Sequence, residues 1–352
     1  MKIVELANVN NRPQLVTYGF IDDIPNIIKE DNSQNRAILV SHLKQLLKES
    51  KATTSRAVAA LPSFSVFSSI INLPSMKEKD LISAVRWEAK KFVPIPLEEM
   101  ILDWEVLKDP NTPEIKNDDK KDKKQDEEKS AKVSDKNIKN NIKVLLTAAP
   151  NNLVNRYVEV FKQAGLALVG LETESFALER SLVGNDKNPI MVIDIGGKVT
   201  SIIIYINGVP MLNRSIDVGG GNVTRAMMDT MGLSREQTEQ FKKDMSYGLH
   251  IDKLDDLPDQ VKNTINSVIN EIRYILNIYQ NQNNNPISKI ILTGGSSFLM
   301  DIDKYIESIF NIKSYIGDPW ARVMHPVEID SMLKQLGPRM AVPIGLGMRE
   351  II

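Results

Sequence analysis

The stretch Ile190-Met-Val-Ile-Asp-Ile-Gly-Gly-Lys-Val-Thr-Ser-Ile-Ile-Ile-Tyr-Ile206 is the part of the chain from which the fold is read. An apolar run ends at Asp194, turns through Gly196 and Gly197, and returns as a second apolar run from Thr200. Asn207-Gly208 then predicts a tight hairpin into a third strand, roughly Val209 to Ile216. Adjacent glycines let backbone N–H groups crowd around an anion, and Asp194 sits where a metal ion or its water could be held.

Two further segments add to it. Val218-Gly-Gly-Gly-Asn222 leads straight into a helical pattern, so Gly219, Gly220 and Gly221 meet a helix N-terminus, a natural phosphate site. Lys289-Ile-Ile-Leu-Thr-Gly-Gly-Ser-Ser-Phe298 reads as strand, turn and helix, and bare backbone at Gly294, Gly295 and Ser296 would let an adenosine lie flat. Any one of these turns serves strand geometry alone in many proteins. The ordered trio is more specific than its members. Gly196-Gly197-Lys198 lacks the upstream glycine and following Ser/Thr of a P-loop, and the Gly219 run lacks the third glycine of a dinucleotide fingerprint.

The chain has 352 residues, 42% of them hydrophobic and 25% charged, with a formal net charge of −1. That describes two or three globular domains with no basic field for nucleic acid or acidic lipid. The absence of cysteine excludes disulfides and zinc–thiolate sites and fits a cytoplasmic setting. His42, His250 and His325 are too scattered for a metal set. No run of 18 apolar residues and no basic-then-apolar leader is present, so membrane contact is expected only through a partner.

Lys2 to Leu6 and Leu15 to Phe20 read as strands, Arg36 to Lys48 as an amphipathic helix, and Arg56 to Leu61 as a strand ended by Pro62. A different unit starts near Phe67. Ser68 to Leu73 is a strand, and Ser75-x-x-Glu78 predicts a capping box opening a helix with Leu81, Val85, Ala89 and Phe92 on one side. Strands Ile101 to Leu107 and Ile142 to Ala148, helix Leu153 to Ala164 and strand Ala167 to Leu171 complete a small α+β module. Between its strands, residues 108–140 are rich in lysine and acid and nearly devoid of apolar residues, which predicts a disordered loop. Further on, Ser234-x-x-Gln237 caps a helix, and Val261 to Tyr279 is a long helix with a continuous apolar stripe. Glu271 and Arg273, on its polar side, are candidates to touch a nucleotide base. Pro343 to Glu350 is expected as a terminal helix returning to the first domain.

Leu61-Pro62 with Ser65-Val66-Phe67, Asn72-Leu73-Pro74, Ala84-Val-Arg-Trp-Glu-Ala89 and Val93-Pro-Ile-Pro96 together resemble the PilM family of type IV pilus assembly proteins. The three glycine motifs resemble the same family and the wider actin-like superfamily, including the cell-division protein FtsA. The resemblance implies a two-lobed actin-like ATPase (ribonuclease H-like) fold with an inserted α+β, SHS2-like subdomain. Residues 1–66, 172–188 and 338–352 would make the first lobe, 67–171 the insert, and 189–337 the second lobe, helical over about 219–286. It also implies a cytoplasmic scaffold that binds the N-terminal tail of the inner-membrane protein PilN in a groove beside the insert, with ATP and magnesium in the cleft. On that reading Asp194, Gly196, Gly197 and Thr200 form the second phosphate loop. Gly219, Gly220 and Gly221 line the cleft, and Gly294, Gly295 and Ser296 receive the adenosine.

The family opens with a first phosphate loop ahead of the Lys-Ile-Val-Glu-Leu strand, and here Met1 stands where that loop would finish. The expectation is a truncated or mis-assigned start, because the absent strand would lie inside its sheet and leave ladder groups unpaired. At most weak ATPase activity is expected, with no catalytic base identified. Two other readings stay open. A sugar-kinase-like phosphotransferase would need a carboxylate beside the γ-phosphate, for which Asp217 is the candidate. An FtsA-like filament protein would need an amphipathic membrane helix after Arg349-Glu-Ile-Ile352.

Overall fold

A computed structural model describes residues 1–22, 32–93, 95–107, 141–246, 257–282, 285–299 and 301–351. The expected disordered loop, 108–140, lies outside them. The chain divides into two compact units, Met1–Ser65 with Asn155–Ile352, and Val66–Val154.

The larger unit is organised around the quoted stretch. Strands β8 (Ile190–Ile195), β9 (Thr200–Ile206), β10 (Val209–Ile216), β11 (Lys289–Thr293) and β12 (Ser314–Ile316) form one sheet in the order β10-β9-β8-β11-β12. The hairpin strands are antiparallel, while β11 runs parallel to β8 and β12. Strand side chains alternate between faces, and here both faces are covered. Met191, Ile193 and Ile195 enter one core with helix α7 (Asp259–Gln282). Ile190 and Val192 enter another with Leu178 and Ala341. A strand buried on both sides must be apolar throughout, which is why this run reads without alternation. The stripe on α7 is buried from Val261 to Tyr279 as expected. Asn207 and Gly208 both adopt positive φ at the hairpin tip.

The first strands are longer than expected. β1 (Lys2–Val9) and β2 (Arg12–Phe20) form an antiparallel pair, and β3 (Arg56–Leu61) pairs parallel with β7 (Ala167–Thr173). No described strand joins these two pairs into one sheet. Helix α1 (Ser33–Ser50) starts where the Asn32 side chain accepts the Asn35 N–H. Helix α3 (Asn151–Ala164) leads into β7, followed by the short helix α4 (Glu174–Leu178). β7 therefore lies with β3 in the larger unit, and the smaller unit ends at Val154, short of the expected 171.

Two local expectations are corrected. Helix α2 (Glu78–Phe92) begins at Glu78 with Lys77 as its cap residue, so Ser75 does not stand at the cap as expected. The last helix, α9 (Asp330–Met348), starts well before Pro343 and contains both Pro338 and Pro343. Proline removes a helical N–H, which leaves a carbonyl one turn earlier without its helical partner. The capping box at Ser234 does form, with Ser234 and Gln237 exchanging hydrogen bonds at the start of α6 (Arg235–Ser246).

The smaller unit is a three-stranded antiparallel sheet, β4 (Phe67–Pro74), β6 (Asn141–Pro150) and β5 (Met100–Leu107), with β6 central. Leu81, Val85 and Ala89 of α2 pack on Ile71, Leu73 and Leu146. Trp87 faces solvent beneath the Lys91 ammonium.

Candidate functional site

The three glycine turns come together. A β-carbon on Gly219 would meet the Gly196 carbonyl oxygen at 2.6 Å and the backbone of Gly197 and Lys198 at 2.8 Å. One on Gly220 would collide with the Ser296 hydroxyl, and one on Gly294 with the Asp194 carboxylate and the Ile195 carbonyl. The contacts are reinforced by backbone bonds, Gly220 N–H to Gly196 O at 2.9 Å, Gly221 N–H to Gly197 O at 2.7 Å and Ser296 N–H to Ile195 O at 3.1 Å. Glycine is required because backbone touches backbone.

Those same bonds correct one expectation. Helix α5 (Gly220–Met231) does not offer an open anion site at its N-terminus. Gly219 N–H donates to the Asn222 side chain, Gly220 and Gly221 donate to the hairpin carbonyls, and Asn222 donates to Gly219 O. Its first-turn donors hold the turns together. Thr200 is likewise turned inward: it is fully buried and its hydroxyl donates to Val218 O at 2.6 Å, so it fastens β9 to the glycine turn and does not face a ligand.

Along these turns Gly197, Lys198, Gly221, Asn222 and Gly295 remain open to solvent, and the Asp194 carboxylate lies against Gly294. Asp194 stands near the end of β8, paired through its backbone with β9 and β11, while its carboxylate makes no hydrogen bond among the described residues. Burial raises its pKa, against which Lys2 acts. Lys2 as a residue is exposed, yet desolvation of its ammonium lowers its pKa, partly offset by Asp194. Glu174, at the start of α4, is pushed up to about 7 by burial and by the Asp194 charge, against the N–H of Ser63 at 3.1 Å. Asp194, Lys2 and Glu174 are thus close enough to act on one another's charge.

Magnesium is commonly bound by one or two carboxylates, with waters and phosphate oxygens completing its octahedron. A single unpartnered carboxylate beside glycine backbone fits that pattern. Among the described residues no group of three His, Cys, Asp or Glu side chains could hold an ion by itself. The small apolar cavity below the turns, about 30 Å³ and lined by Ile195, Val218, Val223 and Val268, is far too small for a nucleotide.

Glu271 and Arg273 are engaged elsewhere. Glu271 is ion-paired with Arg214 of β10, at an angle that makes no hydrogen bond. Arg273 donates to Asn270 at 2.9 Å and lies over the Phe310 ring. Asp217, the candidate kinase base, is exposed just after β10. The sequence reading passed over Lys242, which reaches the glycine turn, and Glu239, which is paired with it. Lys242 Nζ of α6 donates to Thr224 Oγ1 at 2.9 Å and to Gly220 O at 3.4 Å, and it pairs with Glu239 at 3.3 Å. Thr224 also donates to Glu239. A Glu and Lys three apart on the helix after a glycine turn is the signal that could have found them.

A five-stranded mixed sheet covered on both faces, with glycine turns from three strand ends meeting over one acid, defines an actin-like ATPase fold. The family described as "Type IV pilus assembly protein PilM" matches residues 1–123 and 129–351, and the chain belongs to that family. Among solved structures, the "PilM-PilN type IV pilus biogenesis complex" is similar over 100% of this chain and 95% of that one, with TM-score 0.80 and 24% identity. The cell division protein FtsA of Bacillus subtilis (strain 168) is 23% identical over 121 residues, which is 34% of this chain and only 28% of that protein's length. Among the described residues no helix is long and apolar enough to cross a membrane.

Proposed function

We propose that this chain is a nucleotide-binding scaffold of type IV pilus assembly, working on the cytoplasmic side of the inner membrane. Its partner is the N-terminal cytoplasmic tail of a PilN-like membrane protein, a reading supported by the likeness to a PilM–PilN complex over the whole chain. ATP with magnesium is its conformational ligand. The observation that carries the nucleotide reading is the meeting of Gly196, Gly219 and Gly294 around Asp194. Backbone turns at Gly197 and Gly295 receive phosphate and adenosine, Asp194 holds magnesium through water, and Lys2 and Lys242 supply positive charge. Binding orders the two lobes and so favours one shape of the peptide surface. Calorimetric titration of a PilN-type N-terminal peptide into the full chain, with and without Mg-ATP, tests it. Peptide binding that tightens with nucleotide is expected; no binding in either state would defeat the partner assignment.

A further inference from the structure

Helix α9 is fastened to the exit of β11 through the Pro338 carbonyl. The Pro338 carbonyl accepts both the Gly294 N–H and the Thr293 hydroxyl, each at 2.9 Å. The next residue, Arg339, is thereby held beside the exposed turn. A β-carbon on Gly295 would lie 3.6 to 3.9 Å from Arg339 Cγ, Nε and Cδ, so this side chain lies along bare backbone. Its guanidinium stands over the Phe20 ring, 4.8 Å from the centroid, and is ion-paired with Asp22. About a quarter of the side chain is exposed, at 27%.

We propose that Arg339 is the residue that recognises the nucleobase. A guanidinium is planar, stays charged, and stacks on aromatic faces. Here one aromatic surface is already against it, and its stem runs along the glycine on which an adenine would rest. An aromatic base entering over Gly295 meets the flat guanidinium at once. Asp22 serves as the counter-ion that keeps the arginine in place without ligand. The ligand class that follows is a purine nucleotide, with inorganic polyphosphate a poorer match because it presents no ring. This rests on the nucleotide site proposed above.

The test compares Mg-ATP with Mg-tripolyphosphate on the full chain and on Arg339→Ala and Arg339→Lys. ATP affinity is expected to fall about tenfold in both variants, since lysine keeps the charge and loses the plane. Tripolyphosphate affinity is expected to stay within about twofold, and unchanged unfolding midpoints would show that the variants fold. Unchanged ATP affinity would overturn the inference alone. An equal fall for both ligands, with Lys restoring both, would assign Arg339 to the phosphates and also overturn it. A wild-type chain that binds neither ligand would remove the nucleotide site itself.

Discussion

Gly219 and Gly196 are in backbone contact: no β-carbon can stand on Gly219 without coming within 2.6 Å of the Gly196 carbonyl oxygen. The contact joins the β8–β9 turn to the start of α5, and it is the joint on which the site depends. Gly219→Ala is therefore expected to destabilise the protein by about 1–3 kcal/mol, the usual range for overpacking. Gly197→Ala, where nothing lies within 4 Å of the added carbon, is expected to leave stability nearly unchanged. Urea unfolding of the pair separates the two. Equal midpoints would show that the turns are not tightly joined.

Glu174 couples the site to pH. Its folded pKa, about 7, lies above the ordinary value of 4.5, because burial and the Asp194 charge favour the neutral acid. Between those values the folded state holds a proton that the unfolded state has released. Stability is then greatest below about pH 4.5, declines as pH rises towards 7, and levels off above it. The contribution of this residue is at most on the order of 3 kcal/mol. Glu174→Gln is expected to flatten that part of the stability–pH curve, measured by unfolding at fixed denaturant steps from pH 4.5 to 8. An unaltered slope in the variant would place its origin elsewhere.

Tyr205 of β9 is fully buried, and its hydroxyl donates to the Ser175 carbonyl of α4 at 2.7 Å. It ties the large sheet to the element that carries Glu174. Tyr205→Phe keeps the ring and leaves that buried carbonyl without the bond, at an expected cost of about 1–2 kcal/mol. A thermal midpoint identical to that of the wild type would show that the Glu179 N–H, which the same carbonyl accepts, is enough.

How much of this was legible in the sequence depends on how local each cause is. β8 and β9 could be read because burial on both faces demands unbroken apolar runs, and β10 because Asn207-Gly208 carries its own turn chemistry. The start of α9 could not, because Pro343 read as the first residue of the helix. What holds this helix in place is tertiary: Thr293 and Gly294, 45 and 44 positions away, both donate to the Pro338 carbonyl. The three turns were recognisable by residue type. That α5 spends its first N–H groups on Gly196 and Gly197 was not, since it depends on which carbonyls the folded chain brings near. Glu239 and Lys242 were overlooked because Glu and Lys three apart are common on solvated helices.

Lys242 is the sharpest test of the nucleotide reading after Arg339. Its side chain is only 15% exposed, and its ammonium is directed at Thr224 and the Gly220 carbonyl. A cation held this close to a bare glycine turn is positioned to meet an anionic or hydroxyl-bearing ligand without reorganising. Lys242→Ala is expected to weaken Mg-ATP binding by at least about tenfold, in keeping with the loss of one charge-assisted contact. Its stability cost should be about 1 kcal/mol, because Thr224 keeps its bond to Glu239. Lys243→Ala, one residue along and exposed, removes the same charge from the same helix. If fluorescence titration finds the two variants equally weakened, the effect is long-range charge, and Lys242 has no special place in the site.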